Sequence, residues 1–472
     1  MTNPRLKKTF LAAAVLVVAG AGTAVAVLAR SGRDVTTSSE EAYRHYRKGL
    51  EDEGRLYRKD ALASYAKALE LDPHFTMATL RLAGNIAGRD RDRARSLVQC
   101  AVRNPGRLSE REKLSLAIAE ADLVDRSPEK SGRLVREYVK RFPDDPEGYF
   151  RLATVLMREG KTDEMLATYE RLLSLDPNQA TAYNYLGYHF IGRRDFVKGE
   201  DYLKRYRFLA PDQANPYDSL GELYANTGRY DEAEEHLKRA LEIKPDFFPA
   251  IGHLGTLEVG RGNAEAAAAH FRRAAEMSEN WKDKHGFVAA AAMSLLDAGL
   301  PDEALADVDR EAAAAPTMSP KEDFVFRHHV VRSRVVLLAL AGRADEAEAE
   351  LARLPELPAD LEDKEKAALE KAVLGPVAAL AGARGDLEAS VRAMRDLLAE
   401  DKGAQSGGFP YYPLSFRLRV RLADALVTLG RPDEAREELR PVLAVNPRFA
   451  PALAVMARIA GKAGSAAGSS GR

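Results

Sequence analysis

The chain has 472 residues, with 70 Lys plus Arg against 71 Asp plus Glu, 7% aromatic residues and one cysteine. Near-zero net charge speaks against a general nucleic-acid binder, which carries a clear basic excess, and the lone Cys100 excludes an internal disulfide. Glycine-rich phosphate loops, H-E-x-x-H, paired cysteines and G-x-S-x-G are all absent, so no catalytic, cofactor or metal residue is assigned.

In chain order, residues 1–9 are a basic N-terminus with Arg5, Lys7 and Lys8, followed by residues 10–29, which carry no charge. Twenty residues at ~1.5 Å each cross a ~30 Å hydrocarbon core. The spacing predicts a transmembrane signal-anchor helix with the N-terminus cytoplasmic and the rest of the chain extracytoplasmic, on the periplasmic side. Ala24-Val25-Ala26 offers a small-x-small cleavage site, which leaves a signal-cleaved periplasmic or secreted form as the alternative. No cysteine follows the run, so anchoring through a lipidated thiol is excluded there. Residues 30–38 read as a short polar linker.

From residue 39 no period-2 pattern appears, and all ordered structure is predicted helical. Gly49, Ala61, Tyr65, Ala68 and Pro73 define a first unit, and degenerate units fill 76–143. The stretch 76–105 is Arg-rich (Arg81, Arg89, Arg91, Arg93, Arg95, Arg103, Arg107), and its Ser96, Val98, Cys100, Val102 pattern predicts a buried Cys100. Pro143, Pro177, Pro211 and Pro245 then recur every 34 residues, and the clearest units occupy 146–279. The unit ending at Pro245 reads Tyr217, Leu220, Gly221, Tyr224, Gly228, Ala233, Leu237, Ala240, Pro245. Helical pairs around Gly299/Ala304, Gly342/Ala347 and Gly385/Ser390 fill 285–400, where alanine and leucine periodicity dominates. The adjacent His328 and His329 point about 100° apart on a helix and read as partly exposed residues, not ligands of one metal. A Gly-rich loop with aromatics at its tip, 403–413, precedes a last unit at 416–449, a capping helix to about residue 462 and a disordered tail over 463–472.

The 34-residue interval with these residue types resembles the tetratricopeptide repeat, in its bacterial membrane-anchored type. The resemblance implies an all-α, right-handed superhelical solenoid of antiparallel helix pairs over 39–462, preceded by the transmembrane helix. In each pair, small residues such as Gly221 and Ala233 let helix A and helix B approach, and the proline ends helix B. The family's concave face is built from helix A, which carries over here to a groove lined by Phe150, Thr154, Arg158, Asn184, Tyr188, Asp218, Glu222 and Asn226. Asp218, Glu222 and Asn226 share one helical face, and the groove ends in two carboxylates suited to a peptide bearing basic or hydroxyl groups. The family's clamp for a partner's C-terminal carboxylate needs Lys and Asn at these positions and is not present.

The implied function is a membrane-anchored scaffold that binds protein or peptide partners, in assembly or organisation of a bacterial envelope complex. No nucleic acid, small-molecule substrate or cofactor is expected, and an enzyme or sensor built on 285–415 is the remote alternative.

Overall fold

Among the described residues, a left-handed backbone residue ends the first helix of most pairs and turns the chain into the next. Such residues fall at Arg126, Gly160, Arg194, Gly228 and Gly262, successive steps of 34 residues. Glycine tolerates positive φ without strain, whereas Arg126 and Arg194 adopt it against their own preference because packing on both sides fixes the turn. In the computed structural model, every residue is described except 1–33, 89, 279, 316–317, 359–360, 362, 401–411 and 470–472. The predicted transmembrane segment, and all but Tyr412 and Pro413 of the 403–413 loop, lie outside the described residues. Among the described residues the structure is helical throughout, and no helix is long and apolar enough to cross a membrane.

The chain forms two compact units, Met1–Asp144 and Asp145–Arg472. The first contains α1 (Glu40–Gly54), α2 (Arg58–Leu71), α3 (Thr76–Ile86), α4 (Arg91–Arg103), α5 (Glu110–Leu123) and α6 (Pro128–Arg141). Its core gathers Tyr46, Tyr65 and Phe75, with Tyr46 and Phe75 ring centroids 4.9 Å apart. The described part of the predicted linker belongs to this unit. Val35 is buried, Thr36 donates to Glu112 through backbone and hydroxyl (2.6 and 2.7 Å), and Thr37 and Ser38 donate to Asp72. Cys100 is exposed, contrary to its predicted burial. The buried side of α4 carries Ala94, Val98 and Ala101 at spacings of four and three, and Cys100 falls off that stripe.

The second unit opens with four pairs of 13- and 14-residue helices: α7 (Pro146–Arg158) and α8 (Thr162–Leu175), α9 (Ala180–Gly192) and α10 (Phe196–Leu209), α11 (Ala214–Asn226) and α12 (Tyr230–Ile243), α13 (Phe248–Arg261) and α14 (Ala264–Met277). Pro177, Pro211 and Pro245 each stand two residues beyond a second helix and stop it, since proline supplies no donor for a further turn. At the α11–α12 crossing, a Cβ on Gly221 would lie 2.6 Å from Leu237 Cγ, so the hydrogen of glycine sets the interhelix distance. Gly187 against Leu203 and Gly255 against Phe271 repeat this contact. Leu220 and Leu237 are fully buried, and each contributes roughly 1.5–3 kcal/mol by leaving water.

Beyond α14 the period lengthens. Gly299, Gly342 and Gly385, all with positive φ, are 43 residues apart. The helices here are α15 (Trp281–Asp297), α16 (Pro301–Ala313), the 21-residue α17 (Pro320–Leu340), α18 (Ala344–Leu351), α19 (Asp363–Ala372), α20 (Leu374–Ala383) and α21 (Leu387–Glu400). The unit ends with α22 (Tyr412–Thr428), α23 (Pro432–Val445) and α24 (Ala450–Ser469). The predicted tail is thus helical up to Ser469, consistent with the high helix propensity of its alanines.

The last pair also returns to the central repeats. Asn446 is buried, its Nδ2 donating to Ala225 O (3.3 Å) and its Oδ1 accepting from the Tyr230 hydroxyl (3.2 Å). Arg448 donates to Gly228 O, and its guanidinium lies 5.0 Å from the Tyr230 ring centre. Helix α24 packs on α13 as well as on α22 and α23, so the predicted cap covers an earlier repeat too.

Candidate functional site

Helices α7, α9, α11 and α13 are the first members of successive pairs, and residues at equal distance from each turn stand on equivalent faces. Ten residues before Arg194 and Gly228 are Asn184 and Asp218, and six before them are Tyr188 and Glu222. The structure brings these four together. Ser219 Oγ donates to Asn184 Oδ1 (3.2 Å), and the Tyr188 hydroxyl donates to Glu222 Oε2 (2.7 Å). The centre of the cluster is a residue absent from the predicted set, His253 of α13. Its Nδ1 lies 2.7 Å from Asp218 Oδ1 and its Nε2 3.7 Å from Glu222 Oε1. His253 stands 35 residues after Asp218, one step off the repeat register, which is why equivalence between repeats did not find it.

The electrostatics follow from burial and charge. Burial disfavours the imidazolium of His253, but the carboxylates of Asp218 and Glu222 outweigh it and push the group up to about 9. Burial first, then Glu222 and Asp218, hold the Tyr188 hydroxyl well above the ordinary phenol value. At neutral pH the cluster is therefore an imidazolium between two carboxylates, with an un-ionised phenol on one of them. The pair of carboxylates predicted to await a basic group already has one, supplied from within the fold. The cluster retains one net negative charge.

The other predicted residues lie around this centre or away from it. Phe150 packs edge-on to Tyr185 (5.3 Å) and Tyr169 (6.4 Å), so it is partly a core residue. Thr154 donates to its own helix at Phe150 O (3.1 Å), the expected local bond of a mid-helix threonine. Arg158 is exposed and Asn226 half-buried, at equivalent positions two residues before Gly160 and Gly228.

Histidine geometry differs farther along the unit. His328 is buried, not partly exposed, because α17 is covered on two sides, His328 lying on the side of Val335 and opposite Phe326 and Val330. His285 of α15 bonds Glu311 (2.9 Å) and Ser333 (3.2 Å), so polar groups do occupy a region that reads in sequence as alanine and leucine. Among the described residues no group of three or more His, Cys, Asp or Glu is placed to hold a metal ion.

Three family models described as tetratricopeptide repeat match residues 146–189, 219–247 and 383–459. The chain carries tetratricopeptide repeats. The matches include helices of both the 34-residue pairs and the last pair; of the cluster, Glu222 lies within the 219–247 match, Asp218 one residue before it and His253 on the helix that follows it. No curated protein matches the chain significantly. Among solved structures it is similar to PilW, a type IV pilus biogenesis factor, at 19% identity over 43% of this chain and 91% of that one, with a TM-score of 0.37. A tetratricopeptide repeat protein from Parabacteroides merdae matches at 18% identity over 56% and 98%, TM-score 0.39. Yeast Tom70 matches at 15% identity over 83% and 90%, TM-score 0.42.

Proposed function

We propose that this protein is a membrane-anchored scaffold that binds protein partners through the groove of its central tetratricopeptide repeats, in assembly or organisation of an envelope complex. The observation that carries this reading is the convergence of Asn184, Tyr188, Asp218, Glu222 and His253 from three successive repeats on one face. Such a face suits main-chain amides and hydroxyl or basic side chains, which find acceptors held in place by their own hydrogen bonds. Phe150, Thr154, Arg158 and Asn226 extend the same surface. The uncharged 10–29 segment supports the anchor, and tethering raises the effective concentration of partners in the same membrane.

In-cell crosslinking followed by mass spectrometry, comparing the native chain with Tyr188→Ala/Glu222→Lys, tests the groove. A set of captured envelope proteins lost in a variant that retains its helical spectrum supports it. Identical lists from two folded proteins would sink it. Protease protection of the repeats in intact cells, with an intact mass that includes residues 1–26, is expected for the anchored form.

A further inference from the structure

One cation on the first helices of the repeats has no partner. Arg332 of α17 stands ten residues before Gly342, the position that Asp218 holds before Gly228. It makes no hydrogen bond or ion pair with any described residue, and its Nε is buried without a partner. Its neighbours one turn away are His328, whose buried Nδ1 also lacks a partner, and His329, which packs edge-on to Trp281 (5.8 Å) and His285 (5.4 Å). Lys282 adds a further positive charge beside His329. No carboxylate among the described residues acts on Arg332. Glu311 bonds His285 through Oε2 and leaves Oε1 buried without a partner, while Glu350 is held by Arg334 and Arg353 and Asp323 by Arg327.

The last pair continues the same imbalance. Arg421 stands nine residues before Gly430, matching His253 before Gly262, and Arg417 lies one turn earlier on α22. Both guanidiniums share the single carboxylate of Asp297, at 3.3 and 3.5 Å, and Arg417 also donates to Ser294 Oγ (3.0 Å). On the first helices, Arg417 and Arg421 of α22 thus share the one carboxylate of Asp297 on α15, and Arg332 of α17 has none.

A guanidinium cannot escape burial by losing its proton, so an unpaired one destabilises the fold that holds it. Burial pulls Arg332 below its ordinary value with no carboxylate opposing the shift. The arrangement becomes favourable when an external anion supplies the missing acceptors, and a side-chain carboxylate matches the fork of arginine in two parallel bonds. We propose that the first-helix face of α15, α17 and α22 receives an acidic segment of a protein partner, with Arg332, Arg417 and Arg421 reading its Asp or Glu side chains. The proposal rests on the protein-scaffold reading above, and assigns the two regions opposite charge preferences. A protein segment is favoured over nucleic acid because the chain has no net basic charge, and because burial lowers His328 to about 4 and His329 to about 3, leaving both uncharged at neutral pH.

The test is fluorescence anisotropy of the full-length chain with a fluorescein-labelled Glu-Gly repeat peptide, alongside the matching Lys-Gly peptide and a labelled oligothymidylate. The Glu-Gly peptide is expected to bind, to weaken with salt, and to lose about tenfold in affinity with Arg332→Gln or Arg421→Gln. Arg436→Gln, on the outer α23, is expected to leave it unchanged. Arg332→Met supplies a second readout, because removing an unpaired buried charge is expected to raise the thermal midpoint of the free protein while weakening the peptide. A lowered midpoint with unchanged peptide affinity would make Arg332 a structural residue and overturn the proposal. Equal binding of all variants, no binding of the Glu-Gly peptide, or arginine-dependent binding of the oligothymidylate alone would overturn it as well. If the peptide result is negative while Tyr188→Ala/Glu222→Lys still loses its partners, the central groove stands and only this inference falls.

Discussion

The four pairs of α7–α14 and the longer pairs of α15–α18 solve the same packing problem with different tolerances. In the first region glycine is forced: Gly187, Gly221 and Gly255 each lie so close to a facing side chain that a Cβ would stand under 3 Å from it. In the second, the equivalent positions, seven residues before Gly299 and Gly342, hold the fully buried Ala292 and Val335, and Gly286, earlier on α15, has nothing within 4 Å of its Cβ position. The polar faces differ in parallel. The first region pairs its cluster internally around His253, whereas the second leaves Arg332 without an acceptor. Where interhelix distance is fixed by glycine, side chains on the open face meet their neighbours in each repeat at a constant spacing. Where the repeat lengthens to 43 residues, that spacing is lost and cations remain over.

The largest expected effect breaks the packing half of this comparison. Gly221→Leu should destabilise the protein by roughly 1–3 kcal/mol or more through overpacking against Leu237. Gly286→Ala should instead be neutral or stabilising by up to about 1 kcal/mol, since it removes a helix-interior glycine without a clash. Thermal midpoints of the two variants in opposite directions check the contrast, and two equal losses would refute it.

Next in size is the return of the last pair to the central repeats. Asn446→Ala removes the partner of the Tyr230 hydroxyl and of Ala225 O, at a cost of about 1–3 kcal/mol for buried groups left unsatisfied. Hydrogen exchange should speed up both in α24 and at the α11–α12 turn. Faster exchange confined to α24 would mean that the contact contributes little.

Proton linkage sharpens the electrostatic half. His253 is raised to about 9, so its stabilisation is complete below its unfolded value near 6.5 and is lost as pH rises through about 9. His328 and His329 are depressed by burial first and then by Arg332, to about 4 and about 3, so their region loses stability as pH falls from about 6.5 toward those values. His253→Gln should flatten the fall in thermal midpoint between about pH 6.5 and 9 and leave the acid side unchanged. An unaltered alkaline slope would show that the pair with Asp218 does not carry the linkage. The smallest effect concerns Cys100, which should react with a thiol reagent in the folded protein without change in its helical spectrum.

Much of this was legible in the residues, because the interval of 34 fixes where helices end. Pro177, Pro211 and Pro245 stand just past α8, α10 and α12, and Gly299, Gly342 and Gly385 each occupy a left-handed turn, as their pairing with Ala304, Ala347 and Ser390 implied. That Asn184, Tyr188, Asp218 and Glu222 stand on one face was legible, because they share register positions. His253 was not, since it reaches Asp218 from the next repeat but one residue out of step. Cys100 was misread because a few degrees of helix rotation decide which residue beside an apolar stripe is covered, and His328 because α17 is packed on two sides, which a single stripe does not reveal.

By itself the sequence determined the repeat, the all-helical class and the residues at the helix crossings, because these depend on local backbone preference and on side-chain size at fixed spacing. Tertiary structure alone decided which charges meet. The bond from Tyr230 to Asn446 joins residues 216 positions apart, and the shared claim of Arg417 and Arg421 on Asp297 spans more than a hundred. Ion pairs and buried hydrogen bonds depend on distances of a few ångströms between side chains, and stacking accumulates small rotations from repeat to repeat that no single period records.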